Sequence, residues 1–481
     1  MKSNGNVSSN VIWRLMERFG AQGVTLIVSI VLARLLDPSV YGEIAIVTVF
    51  ITISEVFVDG GIGAALIQKT EADNLDFSTA FYFNIVWSVF LYVVLFFAAQ
   101  PIASFYNDPN LAGIIRVLGI ELIIISVKNI EHAVVSKRLI FKKFFYSTLI
   151  GTILAAIVGI YMAFKGFGVW ALVTQKLVNS AFDTVVLWFT VRWRPQFIFS
   201  ISRLKGLLKY SWKIFVSKLI DTVWNDIRQL IIGKKYTSSD LAFYNRGKQI
   251  PSMLTNSINS SIDSVLFPVM SNMQHNKDDL KKFARRAISL SSFIIWPMMV
   301  GMGVCAQQLI VVLLTEKWLE AVPYLQICCI VYLMYPMFTT NLNIIKSLGY
   351  SNIVLKIEIM KKSVDAVLLI ISSFISVKAI AISTILGMVF SVVLHAFYSG
   401  KLIGYGVAEQ IKDSLPYAGL SLIMGLIVLL MDYLLGPGIL TLCAEIIVGA
   451  IVYFLLSYYF KLESFAYYKS MITKMIKRIR A

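Results

Sequence analysis

The amino-acid sequence predicts an all-α polytopic membrane protein with about fourteen transmembrane helices. Three observations support this fold class: 58% of the 481 residues are hydrophobic, only 15% are charged, and long apolar stretches recur along the whole chain. A soluble chain usually carries about 25% charged residues. Glycine, proline and low-complexity sequence do not replace the missing charge, which excludes a disordered or fibrous chain.

The formal net charge of +17 has a layout typical of membrane proteins. Lysine and arginine fall mostly in short loops between apolar stretches, which is where cytoplasmic positive charge is found. We therefore expect no nucleic-acid partner. The four cysteines, Cys305, Cys328, Cys329 and Cys443, lie in apolar stretches without metal-ligand spacing, which predicts packing residues and no metal site.

Each membrane span needs about 20 apolar residues to cross the hydrocarbon core. The first apolar stretch is too long for a signal peptide and is expected to remain as helix one. By this measure the spans are predicted at residues 10–34, 40–66, 77–104, 111–135, 145–165, 168–191, 207–233, 241–272, 284–313, 320–346, 350–374, 378–400, 414–434 and 438–460.

Loop charge predicts the orientation of these spans. With the N-terminus inside, the cytoplasmic segments include four basic clusters, at residues 137–143, 192–213, 277–286 and 461–480. The opposite loops at 107–110 and 435–440 contain no lysine or arginine. The adjacent pair Lys234 and Lys235 is the exception, on a loop predicted to be external. The positive-inside rule thus predicts a multi-pass protein of the cytoplasmic (inner) membrane with both termini in the cytoplasm.

An internal repeat at a spacing of about 200 residues predicts two lobes, because Ala33–Gly42 resembles Gly233–Ala242. Six helices return the chain to the same side, so the repeat is parallel, with its pseudo-twofold axis along the membrane normal. The tail is expected to form an amphipathic helix on anionic lipid. The predicted domains are an N-lobe at 1–191 (helices 1–6), a basic cytoplasmic linker at 192–206, a C-lobe at 207–400 (helices 7–12), two added helices within 401–460 and a basic cytoplasmic tail at 461–481.

Polar residues line the first two helices of each lobe at helical spacing. A charge at mid-helix costs about 2.5–3.5 kcal/mol on insertion scales, so it usually faces a water-filled cavity or a partner. If these four helices face one another, they line a hydrated central cleft, the architecture of an alternating-access transporter. The residues are Arg14, Glu17, Arg18, Gln22 and Thr25 in helix one, Thr48, Thr52, Glu55 and Asp59 in helix two, Lys218, Asp221, Thr222, Asn225, Asp226, Arg228 and Gln229 in helix seven, and Ser252, Thr255, Asn256, Asn259 and Asp263 in helix eight.

A purely structural interpretation competes at each charge. Arg14 and Arg18 lie near the predicted cytoplasmic end of their helix and could reach the interface. Lys218 and Asp221, three residues apart, could neutralise each other. Glu55 and Asp59, deeper or nearer the outer end of helix two, could likewise be structural. Interface anchoring is the favoured interpretation for a group at the end of helix four, namely Lys128, Glu131 and His132.

Two sequence segments, Ala33–Gly42 and Leu241–Gly247, together with the two-lobe layout, resemble the polysaccharide-transport flippases. These belong to the multidrug/oligosaccharidyl-lipid/polysaccharide exporter superfamily, and the match favours the lipopolysaccharide, colanic-acid and teichuronic-acid type. The resemblance covers essentially the whole chain. It implies translocation of undecaprenyl-pyrophosphate-linked oligosaccharide repeat units from the cytoplasmic to the outer leaflet, by ion-coupled alternating access. O-antigen, capsule or exopolysaccharide biosynthesis would be served, with the bilayer, the lipid-linked oligosaccharide and other polysaccharide assembly proteins as partners.

The resemblance also implies roles for the polar residues. Pyrophosphate and sugars require a hydrated cleft, and arginine can bind pyrophosphate bidentately. No cofactor is expected apart from a coupling proton or sodium ion, and no catalytic residue. The implied assignments are pyrophosphate binding by Arg14, Arg18, Lys218 and Arg228, sugar binding by Gln22, Trp224, Asn225, Asn256 and Asn259, and ion coupling by Glu55, Asp59, Asp221, Asp226 and Asp263.

Three other functions compete with this one. A cation-coupled multidrug antiporter of the same superfamily would favour a mainly acidic, aromatic cleft, whereas mixed charges favour an anionic substrate. A flippase for the peptidoglycan precursor stays open. A membrane-embedded polysaccharide polymerase or glycosyltransferase typically has a long catalytic loop, but no predicted loop exceeds about twenty residues. Phosphate-loop, zinc and nucleophile-elbow motifs are absent from the sequence, so a transporter rather than an enzyme is predicted.

Overall fold

A computed structural model describes residues 23–138, 140, 142–436 and 438–480, and within these residues the regular elements are all helices. The predicted site residues Arg14, Arg18 and Gln22 lie outside this part of the chain. The helices are α1 (Gly23–Leu35), α2 (Pro38–Asp59), α3 (Ile62–Gln68), α4 (Asn74–Tyr106), α5 (Asn110–Leu118), α6 (Ile120–Arg138), α7 (Lys142–Phe164), α8 (Val169–Thr190), α9 (Ile201–Lys235), α10 (Ser238–Asn272), α11 (Lys277–Val304), α12 (Ala306–Leu314), a 3₁₀ turn (Glu316–Ala321), α13 (Val322–Leu333), α14 (Tyr335–Ser347), α15 (Ser351–Ser372), α16 (Val377–Ile403), α17 (Val407–Leu435), α18 (Ile439–Tyr459) and α19 (Glu463–Arg480).

Within residues 23–480 as described, each predicted span coincides with a helix or with a broken helix. Spans two, four, nine and ten are divided, into α2 and α3, α5 and α6, α11 and α12, and α13 and α14. In the described part of the chain, eight helical segments are long and apolar enough to cross a membrane. A pair bent by 40°, Glu316–Leu333 with Tyr335–Ser347, would be a ninth. The all-α, multi-pass fold is confirmed, whereas the count of fourteen crossings stays a prediction.

Close contacts divide the chain into a first unit, residues 1–242, and a second unit, residues 243–481. In the first unit, α7 packs along α8, α6 packs on α4 and α8, and α9 packs on α2, α3 and α4. Its buried core includes Phe77, Phe81, Ile130, Leu187 and Trp193. Helix α9 begins at Ile201, so the second part of the predicted linker is helical. The predicted lobe boundaries otherwise stay a prediction.

Helix α4 begins with a reciprocal capping box. The Asp76 backbone N–H donates to Asp73 Oδ1 at 2.9 Å, and the Asp73 N–H donates to Asp76 Oδ2 at 3.1 Å. This pairing satisfies two backbone donors that a helix start leaves without partners. The first of these bonds favours the ionised carboxylate and lowers the pKa of Asp73. Lys69 Nζ contacts the buried Asp76 carboxylate at 2.6 Å, which ties the short α3–α4 connection together.

Glycines allow α2, its extension α3 and α9 to approach closely along an antiparallel seam. A Cβ added at Gly61 would lie 2.9 Å from the backbone oxygen of Ser211, and one added at Gly233 would lie 2.8 Å from Ile46 Cγ1. The stretch from Ser211 to Gly233 is about 33 Å long at 1.5 Å per residue. The seam is therefore about as long as the hydrocarbon core is thick.

The two repeat-related segments contact each other at one end of this seam. A Cβ added at Gly42, near the start of α2, would lie 1.8 Å from the Ser238 carbonyl oxygen at the start of α10. Only glycine fits there without displacing the backbone. The sequence similarity between 33–42 and 233–242 thus includes a position with a packing requirement.

The second unit is built around α11, which packs on α13, α14 and α17, while α16 packs on α13, α14 and α15. Leu280, Ile288, Ile344 and Tyr405 belong to one of its buried clusters. Phe293, Tyr417, Leu420, Met424 and Tyr453 form another. The second unit therefore has an apolar core of its own.

Candidate functional site

A cluster of ionisable side chains lies inside the first unit, between helices that are otherwise apolar. The Lys176 ammonium on α8 donates to Thr48 Oγ1 on α2 at 2.8 Å. The buried Glu121 carboxylate on α6 accepts a hydrogen bond from the Ser180 hydroxyl on α8. Glu55 follows Thr48 by two turns on the same face of α2, and it lies within electrostatic range of both Glu121 and Lys176. Three packed helices thus bring two carboxylates and one ammonium group together.

Two ion pairs flank this centre and differ in exposure. Lys128 Nζ and Asp183 Oδ2, from α6 and α8, are 3.0 Å apart, with side chains only 17% and 12% exposed. Lys218 Nζ and Asp59 Oδ2, from α9 and α2, are 2.8 Å apart, with side chains 52% and 31% exposed. The first pair is shielded from solvent, whereas the second can exchange a partner with water or with a charged ligand.

Together these groups form what we call the charged cluster. In the described residues it contains four carboxylates and three ammonium groups, so it has one more negative than positive charge when all are ionised. The two ion pairs account for two groups of each sign, which leaves two carboxylates for one lysine. The members of the charged cluster are Glu55, Asp59, Glu121, Lys128, Lys176, Asp183 and Lys218.

The structure places the predicted residues of α9 unevenly. Lys218 and Asp59, predicted for different roles, pair with each other. Asp226 Oδ1 accepts a hydrogen bond from the Gln229 side chain at 2.7 Å. Arg228 is partly buried, and its Nε has no hydrogen-bond partner among the described residues. Of the other three predicted residues, Trp224 is partly buried, and Asp221 and Asn225 are exposed.

The predicted residues of α10 lie in different environments of the second unit. Asp263 Oδ1 accepts a hydrogen bond from the Asn343 side chain of α14 at 2.8 Å. Asn259 is buried, and neither polar atom of its amide has a hydrogen-bond partner among the described residues. Asn256 is exposed. The two predicted sugar-binding asparagines therefore do not share one surface.

Three members of the charged cluster were not predicted from the sequence, namely Glu121, Lys176 and Asp183. Each is an isolated charge within a predicted span, and the stripes of several polar residues drew attention elsewhere. A charge deep in an apolar span is itself a signal of a partner or a cavity. The interpretation of Lys128 as an interface anchor also missed its ion pair with Asp183.

Among the ranges that the structure covers, no group of three or more histidine, cysteine, aspartate or glutamate residues could hold a metal ion. The cluster combines hydrogen-bonded carboxylates with ammonium groups instead. Such a set can bind and release protons, and its more exposed lysine can bind an anion.

Solved structures with the same fold define the class of protein. The lipid II flippase MurJ in an inward closed conformation matches with a TM-score of 0.76, at 14% identity, over 96% of this chain and all of that one. An inward-facing multidrug resistance transporter of the MATE family, in the MOP superfamily, matches with a TM-score of 0.61, at 14% identity, over 79% of this chain and 94% of that one. At this identity the likeness shows the fold alone: a multi-pass membrane protein of the MurJ and MATE type.

The family follows from the sequence. The family model described as polysaccharide biosynthesis protein matches residues 31–323, more than half of the chain, and the protein belongs to this family. Similar proteins include the succinoglycan biosynthesis transport protein ExoT of Rhizobium meliloti (strain 1021), 23% identical over 66% of this chain and 65% of the relative. The teichuronic acid biosynthesis protein TuaB of Bacillus subtilis (strain 168) is 23% identical over 62% of each chain. The lipopolysaccharide biosynthesis protein WzxC of Escherichia coli (strain K12) is 25% identical over 65% and 64%. The matched segments thus span slightly less than two thirds of these relatives.

Proposed function

We propose that this protein is a flippase that moves undecaprenyl-pyrophosphate-linked oligosaccharide repeat units from the cytoplasmic to the outer leaflet of the inner membrane. Polysaccharide biosynthesis would consume these units, and both termini would lie in the cytoplasm. The family membership and the relatives named for succinoglycan, teichuronic acid and lipopolysaccharide biosynthesis support the substrate class. The observation that supports a transport mechanism is the charged cluster. Unpaired charge inside a membrane protein is energetically costly, and where it occurs it usually serves ion or substrate movement.

The excess carboxylate of the charged cluster supports proton coupling. Glu55 and Glu121 share one lysine, Lys176, so one carboxylate lacks a counter-charge, and a bound proton is the simplest way to neutralise it. A sodium ion would need both carboxylates ionised and would be repelled by the ammonium group already present. Glu55 is the proposed proton carrier, because Glu121 already accepts the Ser180 hydrogen bond, whereas Glu55 lies on the Thr48 face of α2 within electrostatic range of Glu121.

The exposed pair Lys218–Asp59 supports an exchange at the substrate head group. A pyrophosphate has more charge and more acceptor oxygens than one carboxylate, so it can replace Asp59 at the lysine. Arg228, and Arg14 and Arg18 outside the described residues, would complete the basic surface. The displaced Asp59 adds negative charge beside Glu55, which favours proton uptake there. By linkage, proton binding at Glu55 and pyrophosphate binding at Lys218 would strengthen each other by the same factor.

A flip assay in proteoliposomes tests the function. Radiolabelled undecaprenyl-pyrophosphate oligosaccharide would be followed from one leaflet to the other, with and without an imposed pH gradient. We expect wild type to move the lipid and the gradient to accelerate this movement about tenfold, which corresponds to a barrier lower by about 1.4 kcal/mol. The paired change Lys218→Ala with Arg228→Ala should abolish movement while the purified protein stays folded.

The Glu55→Gln variant tests the coupling. It should remove the acceleration by the pH gradient, whereas the control Glu71→Gln, on an exposed connection between α3 and α4, should keep it. A sodium gradient that drives wild type when the pH gradient does not would refute proton coupling. No movement of any lipid-linked sugar, together with proton-coupled efflux of a cationic dye, would instead establish the multidrug antiporter.

A further inference from the structure

An open cavity of about 540 Å³ lies in the first unit at the end where α4 and α9 terminate. Its walls are apolar and aromatic, and charge is confined to two adjacent lysines at the end of α9. A volume of this size is typical of a small-molecule binding site. The lining residues that matter here are Phe50, Pro101, Phe105, Tyr106, Lys234 and Lys235.

Contacts between three helices build the walls. The Tyr106 hydroxyl of α4 donates to the Leu230 carbonyl of α9 at 3.4 Å. The rings of Tyr106 and Phe50, on α2, meet edge to face with centroids 6.1 Å apart. Pro101 has no backbone N–H, so α4 lacks one backbone hydrogen bond beside the cavity. These contacts fix an aromatic wall that an unsaturated hydrocarbon chain can pack against.

The ammonium group of Lys234 is positioned at the rim of this wall. Its Nζ lies 4.4 Å from the centroid of the Phe105 ring and donates a hydrogen bond to the Phe105 carbonyl oxygen. Both partners are neutral, so the positive charge is not cancelled by them, and an ammonium group has three donors. Lys234 and Lys235 are both exposed. The rim therefore offers positive charge directly beside an apolar cavity.

The location of this lysine pair is unusual for the topology. The predicted orientation places the end of α9 outside, where the positive-inside rule disfavours short basic loops. The charged cluster lies deeper in the helices and does not use these residues. A local anionic ligand on the outer side would give the pair a role.

We propose that this cavity is an exit site for the carrier lipid, in which Lys234 and Lys235 bind the pyrophosphate in the outer leaflet and the cavity holds the adjoining prenyl units. This inference rests on the proposed flippase function. Two adjacent lysines at the rim match a pyrophosphate, which carries two phosphate groups, better than the single phosphate of a phospholipid. A long prenyl chain would extend from the cavity into the bilayer, since the volume suits only a drug-sized portion of it.

Photo-crosslinking of the full-length protein in lipid nanodiscs tests the exit site. The probe is an undecaprenyl pyrophosphate with a diazirine on a prenyl unit next to the pyrophosphate, and labelled peptides are mapped by mass spectrometry. We expect label in 101–106 and 230–235. The variant Lys234→Gln with Lys235→Gln should weaken apparent affinity at this site about 25-fold, a factor of roughly five for each lysine beside an anionic lipid.

A matched control is Lys165→Gln. Lys165 is exposed, follows α7 on the same predicted side and lies over the Tyr161 ring at 5.8 Å, but it does not line the cavity. This variant should label like wild type. Unlabelled undecaprenyl pyrophosphate should compete fully, and phosphatidylglycerol or inorganic pyrophosphate at the same concentration should not.

Three results would overturn the exit site. Competition by phosphatidylglycerol as strong as by the carrier would make the cavity a general lipid contact. Equal labelling of the lysine double variant and wild type would show that the two lysines do not bind the pyrophosphate. Label near Lys218 but none in 101–106 or 230–235 would refute the exit site and leave the flippase proposal standing. Absence of label from the whole chain would count against both.

Discussion

Removal of Lys128 should destabilise the first unit far more than removal of a comparable surface lysine. In the variant Lys128→Met the methionine replaces the aliphatic part of the lysine but leaves the Asp183 carboxylate without its counter-charge. Asp183 is buried, and its Oδ1 has no hydrogen-bond partner among the described residues even when the lysine is present. The carboxylate therefore has little alternative stabilisation.

The structure sets the expected magnitude. The two side chains are 17% and 12% exposed, so the pair belongs with buried ion pairs, in which loss of one partner costs about 3–5 kcal/mol. Neutral hydrogen bonds between membrane helices average only about 0.6 kcal/mol. The unpaired charge of Asp183 should therefore contribute more to the loss of stability than the lost hydrogen bond between the helices. Loss of both charges, in Lys128→Met with Asp183→Asn, should recover most of the stability.

Thermal unfolding of the purified protein in a fixed detergent and lipid mixture measures this double-mutant cycle, whose third variant is the single change Asp183→Asn. At about 2–4 °C per kcal/mol for a unit of this size, Lys128→Met should lower Tm by roughly 6–20 °C. The control is Lys281→Met, since its partner Glu409 is 46% exposed and remains hydrated, and the expected change is within about 1 kcal/mol.

The cycle would refute the reasoning if the single variant and the double variant were equally destabilised. That outcome would mean that loss of side-chain packing, not an unpaired carboxylate, causes the effect. A stability unchanged in all three variants would mean that Asp183 finds other partners, and the ion pair would then have no structural role.

Two further predictions concern packing and buried polar groups. Gly42→Ala should destabilise the first unit by about 1–3 kcal/mol or more, because a Cβ would lie 1.8 Å from the Ser238 oxygen. The control Gly206→Ala in α9, with no atom within 4 Å of its added Cβ, should be neutral or stabilising in the same thermal assay. In the second unit, Gln410→Leu should cost about 1–3 kcal/mol, because it removes both hydrogen bonds, of 2.7 and 2.9 Å, to the fully buried Asn341 amide. Asn341→Leu combined with Gln410→Leu should be less destabilised than Gln410→Leu, and the reverse order of Tm values would contradict this interpretation.

The helices were predictable because apolar length is a local property of the sequence. Breaks within spans were harder to find. Gly60 and Gly61 have φ values of +51° and +70°, and they separate α2 from α3 inside one predicted span. The glycine pair is visible in the sequence, but a glycine alone does not say whether a helix bends, ends or packs closely.

The candidate site was only partly predictable because its groups come from helices far apart in the chain. The position of Glu55 as a costly charge in α2 was evident. Its neighbours Glu121 and Lys176 come 66 and 121 residues later, and their proximity depends on how α2, α6 and α8 pack. Likewise, the sequence offered a local Lys218–Asp221 pair as the structural alternative, whereas the structure pairs Lys218 with Asp59 across two helices.

The antiparallel seam of α2 and α9 has a consequence for the order of biogenesis. Ile46 leaves the ribosome 187 residues before Gly233, which packs against it. At roughly 5–20 residues per second, synthesis of the intervening chain takes on the order of 10–40 seconds. During that interval the face of α2 that will contact α9 has to be covered by lipid, by the insertion machinery or by neighbouring helices. Assembly of the first unit is therefore complete only when nearly half of the chain has been translated, and a truncation before α9 would expose this seam to chaperones and proteases.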